Sequence, residues 1–333
     1  MTFDLPLIWA GIVALSVLVY VILDGFDLGV GILFPFVKTE VGRDQMMNSV
    51  APVWDGNQTW LVLGGGALFA VFPLAYAIIM PALYAPITLM LLALVFRGVA
   101  FEFRWKTSRK FLWDRSFAGG SMVAAAAQGI ALGALVQGIP VSGRAYGGGW
   151  WDWLTPFSVL TGFALVVGYA LLGATWLIYK TEGEVQRAAY RYAWITGTGT
   201  LALIGAVSLW TPFLNANYMA NWFSWPQTLY VIPVPILVAL CAFALYRGLA
   251  TKRELLPFLA SLGLFILSFV GLLISFYPYI VPTSVTIRNA VAPDSSLLFM
   301  LVGTAILFPI ILTYTGYSYW VFRGKVGATE GYH

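Results

Sequence analysis

Three carboxylates stand out in this chain for what they could do. Asp24, Asp27 and Asp55 lie in or at the ends of long apolar stretches, in a sequence where only 10% of residues are charged. A carboxylate at membrane depth costs roughly 2.5–3.5 kcal/mol on insertion scales, so its retention points to an ion or proton path. The only histidine is His333, at the C-terminal end. Apolar stretches without imidazole exclude a haem or metal centre ligated by this chain's own histidines within the membrane.

The elements that must position these acids are membrane helices. With 60% hydrophobic residues and a mean hydropathy of +0.84, hydrocarbon is the solvent for most of the 333 residues. The uncharged runs are long and continuous, unlike the ten-residue alternation of a membrane β-barrel, and a backbone in lipid must satisfy its own hydrogen bonds. The expected fold is therefore an all-α polytopic membrane protein. Residues 56–96 carry no charge and read as two crossings joined near Pro81. Residues 192–246 likewise read as two, joined by a polar turn at Asn215, Asn217 and Asn221. Single crossings fit near Leu7–Phe34, Phe117–Gly138, Pro156–Tyr179, Pro257–Pro278 and Leu297–Phe322, which makes nine transmembrane helices in a single transmembrane domain, 1–333. No loop is long enough for a soluble domain.

With nine spans, 16 of the 18 basic residues fall on one face, and only Arg144 and Arg288 on the other. The positive-inside rule makes the first face cytoplasmic, with the N-terminus outside and the C-terminus inside. The net charge of +4 thus reflects topology and not nucleic-acid binding. The opening MTFDLP lacks a basic leader region, so an uncleaved first span is expected. Cys241, alone in its helix, forms no intrachain disulfide. Trp150, Trp151, Trp153, Trp222 and Trp225 suit an outer interfacial belt.

On this topology Asp24 and Asp27 share a face near the cytoplasmic end of the first span, and Asp55 opens the second from the same side. Arg97 and Glu102 return to that depth at the end of the third span, as supporting charges. Burial would favour a proton on these acids and Arg97 would oppose it, so the cluster is tunable. A structural alternative stands beside this reading: Asp55 capping its helix with help from Asn57, Asp27 lying among headgroups, and Glu102 serving as an ion-pair partner. Gly25, Gly29 and Gly31, and then Gly64, Gly65 and Gly66, form small-residue stripes for close helix packing; a void for a small apolar molecule is the alternative. Two prolines at Pro278 and Pro282 imply a re-entrant or extended turn. Gly147-Gly148-Gly149 has no following Lys-Ser/Thr and is no nucleotide loop. The stretch WKTSRKFLWDR is basic and aromatic, which suits anionic lipid headgroups.

Several ordered motifs then coincide. Leu23-Asp24-Gly25-Phe26-Asp27-Leu28-Gly29-Val30-Gly31, Trp54-Asp55-Gly56-Asn57-Gln58-Thr59-Trp60 and Phe96-Arg97-Gly98-Val99-Ala100-Phe101-Glu102-Phe103-Arg104 resemble subunit II of cytochrome bd-type quinol oxidases. Gly173-Ala174-Thr175-Trp176, Lys180-Thr181-Glu182-Gly183 and the stretch from Tyr314 to Lys325 extend the likeness over nearly the whole chain, and the C-terminal half is most similar to the cyanide-insensitive branch. The resemblance implies two four-helix bundles plus one peripheral helix, and a homologous haem-bearing subunit I as partner. That partner would ligate two haems b and one haem d and oxidise quinol, while this chain supports it in the bacterial inner membrane. Additional small single-helix subunits belong to some such assemblies, and lipid and quinone are their surroundings. By motif, Asp24 and Asp55 take the place of acids on the cytoplasmic proton pathway, with Asp27 beside them, and Trp60 takes that of a tryptophan on the oxygen route. Arg288 departs from the apolar pattern expected at its position.

The expected function is a subunit, not catalytic alone, of a complex that reduces oxygen to water. Two other classes compete: a proton-coupled secondary transporter using Asp24 and Asp55, and a purely structural scaffold.

Overall fold

The computed structural model of the protein describes residues 4–327. Its helices are α1 (Leu5–Leu33), α2 (Glu40–Asn48), α3 (Trp54–Val71), α4 (Pro73–Ala82), α5 (Tyr84–Phe103), α6 (Lys110–Gln137) and α7 (Pro156–Lys180). There follow α8 (Gly183–Trp210), α9 (Ala216–Phe223), α10 (Gln227–Val231), α11 (Pro233–Ala250), α12 (Leu255–Phe276), α13 (Ile287–Ala290) and α14 (Asp294–Val321). Eight helices among the described residues are long and apolar enough to cross a membrane: α1, α5, α6, α7, α8, α10 with α11, α12 and α14. The fold is all-α and polytopic, as expected.

Local chemistry sets the boundaries. Asp4 caps α1 by accepting from Leu7 N, and Thr39 caps α2 by accepting from Gly42 N. Thr155 and Ser158 form a reciprocal capping box on α7, whose first residue is Pro156. The expected join near Pro81 is instead a short helix, α4, which contains Pro81 and is bounded by Phe72 and Leu83. Phe72 leaves helical geometry, at φ −122° and ψ 61°, because Pro73 crowds the preceding residue out of the α region. The polar turn at Asn215 is also helical: Asn215 caps α9, and Asn221 donates to carbonyls at the end of α12.

The helix α1 is the hub, packed against α3, α6 and α7. Its glycine stripe permits this. A Cβ on Gly29 would collide with the carbonyl oxygen of Tyr169, and one on Gly173 with the carbonyl carbon of Gly29, so α1 and α7 cross backbone to backbone. A Cβ on Gly31 would collide with the side chain of Ser121 on α6. The second stripe differs, since Gly64 faces Val17 while a methyl group added at Gly65 or Gly66 would meet nothing within 4 Å. A second group forms from α8, α11 and α12, joined to the first through α7. In contrast, α14 touches α1 and α3 along one edge and fully buries only Leu297.

Short hairpins close one end: β1 (Val141–Ser142) with β2 (Ala145–Tyr146), and β3 (Tyr279–Val281) with β4 (Val285–Thr286). The Pro278–Pro282 stretch is thus an extended turn. At this end Arg288 pairs with Asp4, which accounts for the one arginine that broke the apolar pattern. At the opposite end Arg104, fully buried, binds Asp114 and Asp44, each at 2.6 Å. Arg43 joins Asp114 at 2.9 Å, and Lys110 joins Glu40. Here the chain's last described residues form a strap: Val326 N donates to Lys180 O, Gln45 Nε2 donates to Val326 O, and Lys180 Nζ donates to the carbonyls of Phe322 and Gly324.

Candidate functional site

Arg97 is the centre of the site and is completely buried. Its place near the end of α5 is enforced from behind by Gly120 of α6, where a Cβ would stand 2.6 Å from Ala93 O and 3.0 Å from Arg97 N. Phe101, one turn on, lies 5.8 Å from the guanidinium and stacks on Trp54 at 4.7 Å, which ties the start of α3 to the end of α5.

Two carboxylates from α1 face this guanidinium. Asp24 Oδ1 accepts from Arg97 Nη1 at 2.8 Å, and Asp27 Oδ2 lies 3.8 Å from Nη2. Spacing of three residues on a helix puts both acids on one face, as expected. Asn57 Nδ2 donates to Asp27 Oδ2 at 2.7 Å and to Leu23 O at 3.3 Å. Tyr319 of α14 in turn donates to Asn57 Oδ1 at 2.8 Å. Asp24, Asp27 and Arg97 each have 0% exposure, so the charges are screened by protein alone.

The group is charge-balanced in one state only. Two carboxyls facing one guanidinium sum to −1, and become neutral when they share one proton. Asp24 Oδ2 and Asp27 Oδ1 make no hydrogen bond to any described residue, so each is an atom on which that proton can reside.

The other expected residues fall apart from this group. Asp55 lies in the first turn of α3, exposed, its carboxylate without an ion pair or hydrogen bond among the described residues. It does not cap the helix, whose cap residue is Val53. Glu102 is exposed and pairs with Lys106 at 3.4 Å, the ion-pair role its basic neighbourhood suggested. Trp60 is fully buried and meets Phe308 of α14 edge-on at 5.5 Å. Sequence reasoning missed Asn57 as the link to Asp27 and missed Tyr319 altogether. Asn57 stands inside the motif that begins at Trp54, but a neutral amide in a helix start reads as a cap, and Tyr319 is one of 17 tyrosines.

The cytochrome bd terminal oxidase subunit II family matches residues 5–322. The chain belongs to that family. It is 30% identical to cytochrome bd-I ubiquinol oxidase subunit 2 of Escherichia coli K12, over 97% of this chain and 95% of the relative. It is 29% identical to cytochrome bd ubiquinol oxidase subunit 2 of Bacillus subtilis, over 97% of each. The solved bd oxidase of Geobacillus thermodenitrificans shares its fold, with a TM-score of 0.77 at 17% identity, covering 96% of this chain and 99% of that one. As a cytochrome bd subunit II, the chain is part of a quinol oxidase complex, an oxidoreductase, and a multi-pass protein of the inner membrane.

A haem ligated by imidazole finds no donor among the described residues. No group of three or more His, Cys, Asp or Glu gathers among the described residues. The one thiol, Cys241, packs against Gly263, and His333 lies outside the described residues. Haem iron taken by imidazole therefore has no ligand on the described part of this chain.

Proposed function

We propose that this chain is the proton-supplying subunit of a respiratory quinol:O2 oxidoreductase that reduces oxygen to water. Its partner is a haem-bearing subunit I, with two haems b and one haem d. Those groups supply the electron transfer and oxygen chemistry. Small single-helix subunits and membrane lipid complete the assembly, and quinol is its substrate. In this reading α3 completes a ninth crossing, its polar start from Trp54 to Thr59 lying at the cytoplasmic edge. The N-terminus is outside and the C-terminus cytoplasmic. The two four-helix bundles are α1, α3, α5 and α6, and α7, α8, α11 and α12, with α14 peripheral.

The observation that carries the proposal is the burial of two carboxyls against one guanidinium. A scaffold has no need of an unbalanced charged group, since well-packed apolar residues of the same volume are as stable or more so. Asp55, exposed on the cytoplasmic side, collects a proton, and the Asp24–Asp27 pair holds it at Asp24 Oδ2 or Asp27 Oδ1. Arg97 faces both carboxyls and balances one of their two charges. Trp60 lines the oxygen route beside α14.

Asp24→Asn and Asp55→Asn in the assembled oxidase test this reading. Each is expected to cut quinol-driven oxygen consumption by about tenfold or more while the haem spectra stay unchanged. Full consumption with haems retained in both variants would make the acids structural and sink the proposal.

A further inference from the structure

A groove of about 410 Å³ runs along the outside of the bundle, between Phe34 and Pro35 at the end of α1 and Gly119 and Met122 of α6. Arg43, Asp114 and Arg115 frame its charged end. The groove is open, because Phe111 and Met122 beside it are 57% and 42% exposed. Gly119 forms its floor, with no atom within 4 Å of the place a Cβ would occupy. From Arg115 to Met122 the helix rises about 10 Å, so apolar walls descend from a charged rim into the span.

Charge decides what this groove fits. The groove's own lining carries two bases and one acid: Arg43 binds Asp114 at 2.9 Å, and Asp114 is also bound by the buried Arg104 behind it. Arg115 is the surplus. It makes no ion pair among the described residues, and its guanidinium lies 3.9 Å over the Phe111 ring. One cation in excess above an apolar slot matches one negative charge carried on acyl chains. A zwitterionic headgroup would bring its own ammonium to a rim that already has a cation too many.

We propose that this groove seats one anionic diacyl phospholipid, its phosphate against Arg115 beside the Arg43–Asp114 pair and an acyl chain over Gly119 and Met122. The site focuses on Arg115, in the second turn of α6, a positive charge that the basic stretch from Trp105 to Arg115 otherwise presents diffusely.

Native mass spectrometry of the intact oxidase complex is the test, after extraction from nanodiscs of equal phosphatidylglycerol and phosphatidylethanolamine. The unaltered complex is expected to retain one phosphatidylglycerol. Arg115→Gln should lower the preference for it over phosphatidylethanolamine by about fivefold, the effect of one basic side chain at a membrane surface. Gly119→Leu, which fills the slot with a good helix former, should abolish retention while haem content stays unchanged. Equal retention in all three proteins overturns the proposal, as does absence of bound phospholipid from the unaltered complex. A small polypeptide retained in place of lipid and lost on Gly119→Leu would overturn it too.

Discussion

Tyr319 donates its hydroxyl proton to Asn57 Oδ1 at 2.8 Å, so the last long helix reaches across to the amide that holds Asp27. Removing that hydroxyl by Tyr319→Phe leaves the ring packing in place and frees Asn57 to turn away from the carboxylate. The loss in stability is expected to be about 1 kcal/mol. Turnover should change more than stability, with a displaced pH profile of oxygen consumption. An unchanged profile would mean that Tyr319 serves packing alone.

Arg97→Met leaves two buried carboxyls with no cation, a change that typically costs about 3–5 kcal/mol. A lower melting temperature of the complex and reduced yield are expected. Arg97→Lys should rescue only in part, because a point charge cannot address Asp24 and Asp27 as a forked guanidinium does. Full rescue would show that charge without geometry is sufficient.

Gly29→Ala and Gly173→Ala place a methyl group inside the neighbouring backbone, where no side chain can give way. Each should cost more than the usual ~1–3 kcal/mol of overpacking and prevent assembly of the complex. Gly65→Ala and Gly66→Ala, whose added methyls meet nothing, should be tolerated in the same expression assay.

The C-terminal strap is held by Lys325, which binds Glu254 at 2.7 Å and Glu182 at 3.5 Å. The hydrogen bonds from Lys325 and Gln186 pull the Glu254 carboxyl below its ordinary 4.5. A depressed acid stabilises the tie above its unfolded value and loses that contribution as pH falls through the folded one. Lys325 is raised above 10.5, chiefly by its hydrogen bond to Glu254, so its contribution is complete below that value and lost at still higher pH. A spin label at Arg323→Cys should therefore be immobile at neutral pH and loosen only in acid below 4.5 or in strong base. Glu254→Gln should abolish the acid transition; its persistence would assign the transition to another group.

The acidic site is legible in the sequence where charge breaks apolar runs. Asp24, Asp27 and Arg97 are conspicuous in uncharged surroundings, and a three-residue spacing together with a common depth brings them together. Asp55 shares the depth but not the contact, because its position two residues before Asn57 turns it to the outside of α3. The break at Phe72 is harder to see, since Pro81 is the more central proline of its run while Pro73 exerts the steric effect. The nine-residue α2 and the strap are hidden for a different reason. They are polar segments held by partners far away in sequence, such as Val326 for Gln45, and no local pattern announces such pairs.

Tyr319 completes the hydrogen-bonded surroundings of Asp27 about 300 residues after Asp27 is synthesised. At ~5–20 residues per second, the interval is roughly 15–60 s. Once α6 has been made, α1, α5 and α6 can pack around Arg97 for the rest of that interval while Asn57 lacks its anchor. A nascent chain therefore carries its charged centre in place before the centre is fastened, and only the arrival of α14 fastens it. Chains cut before α14 are expected to insert and pack yet keep a loosely held carboxylate, so α14 acts late on a centre laid down early.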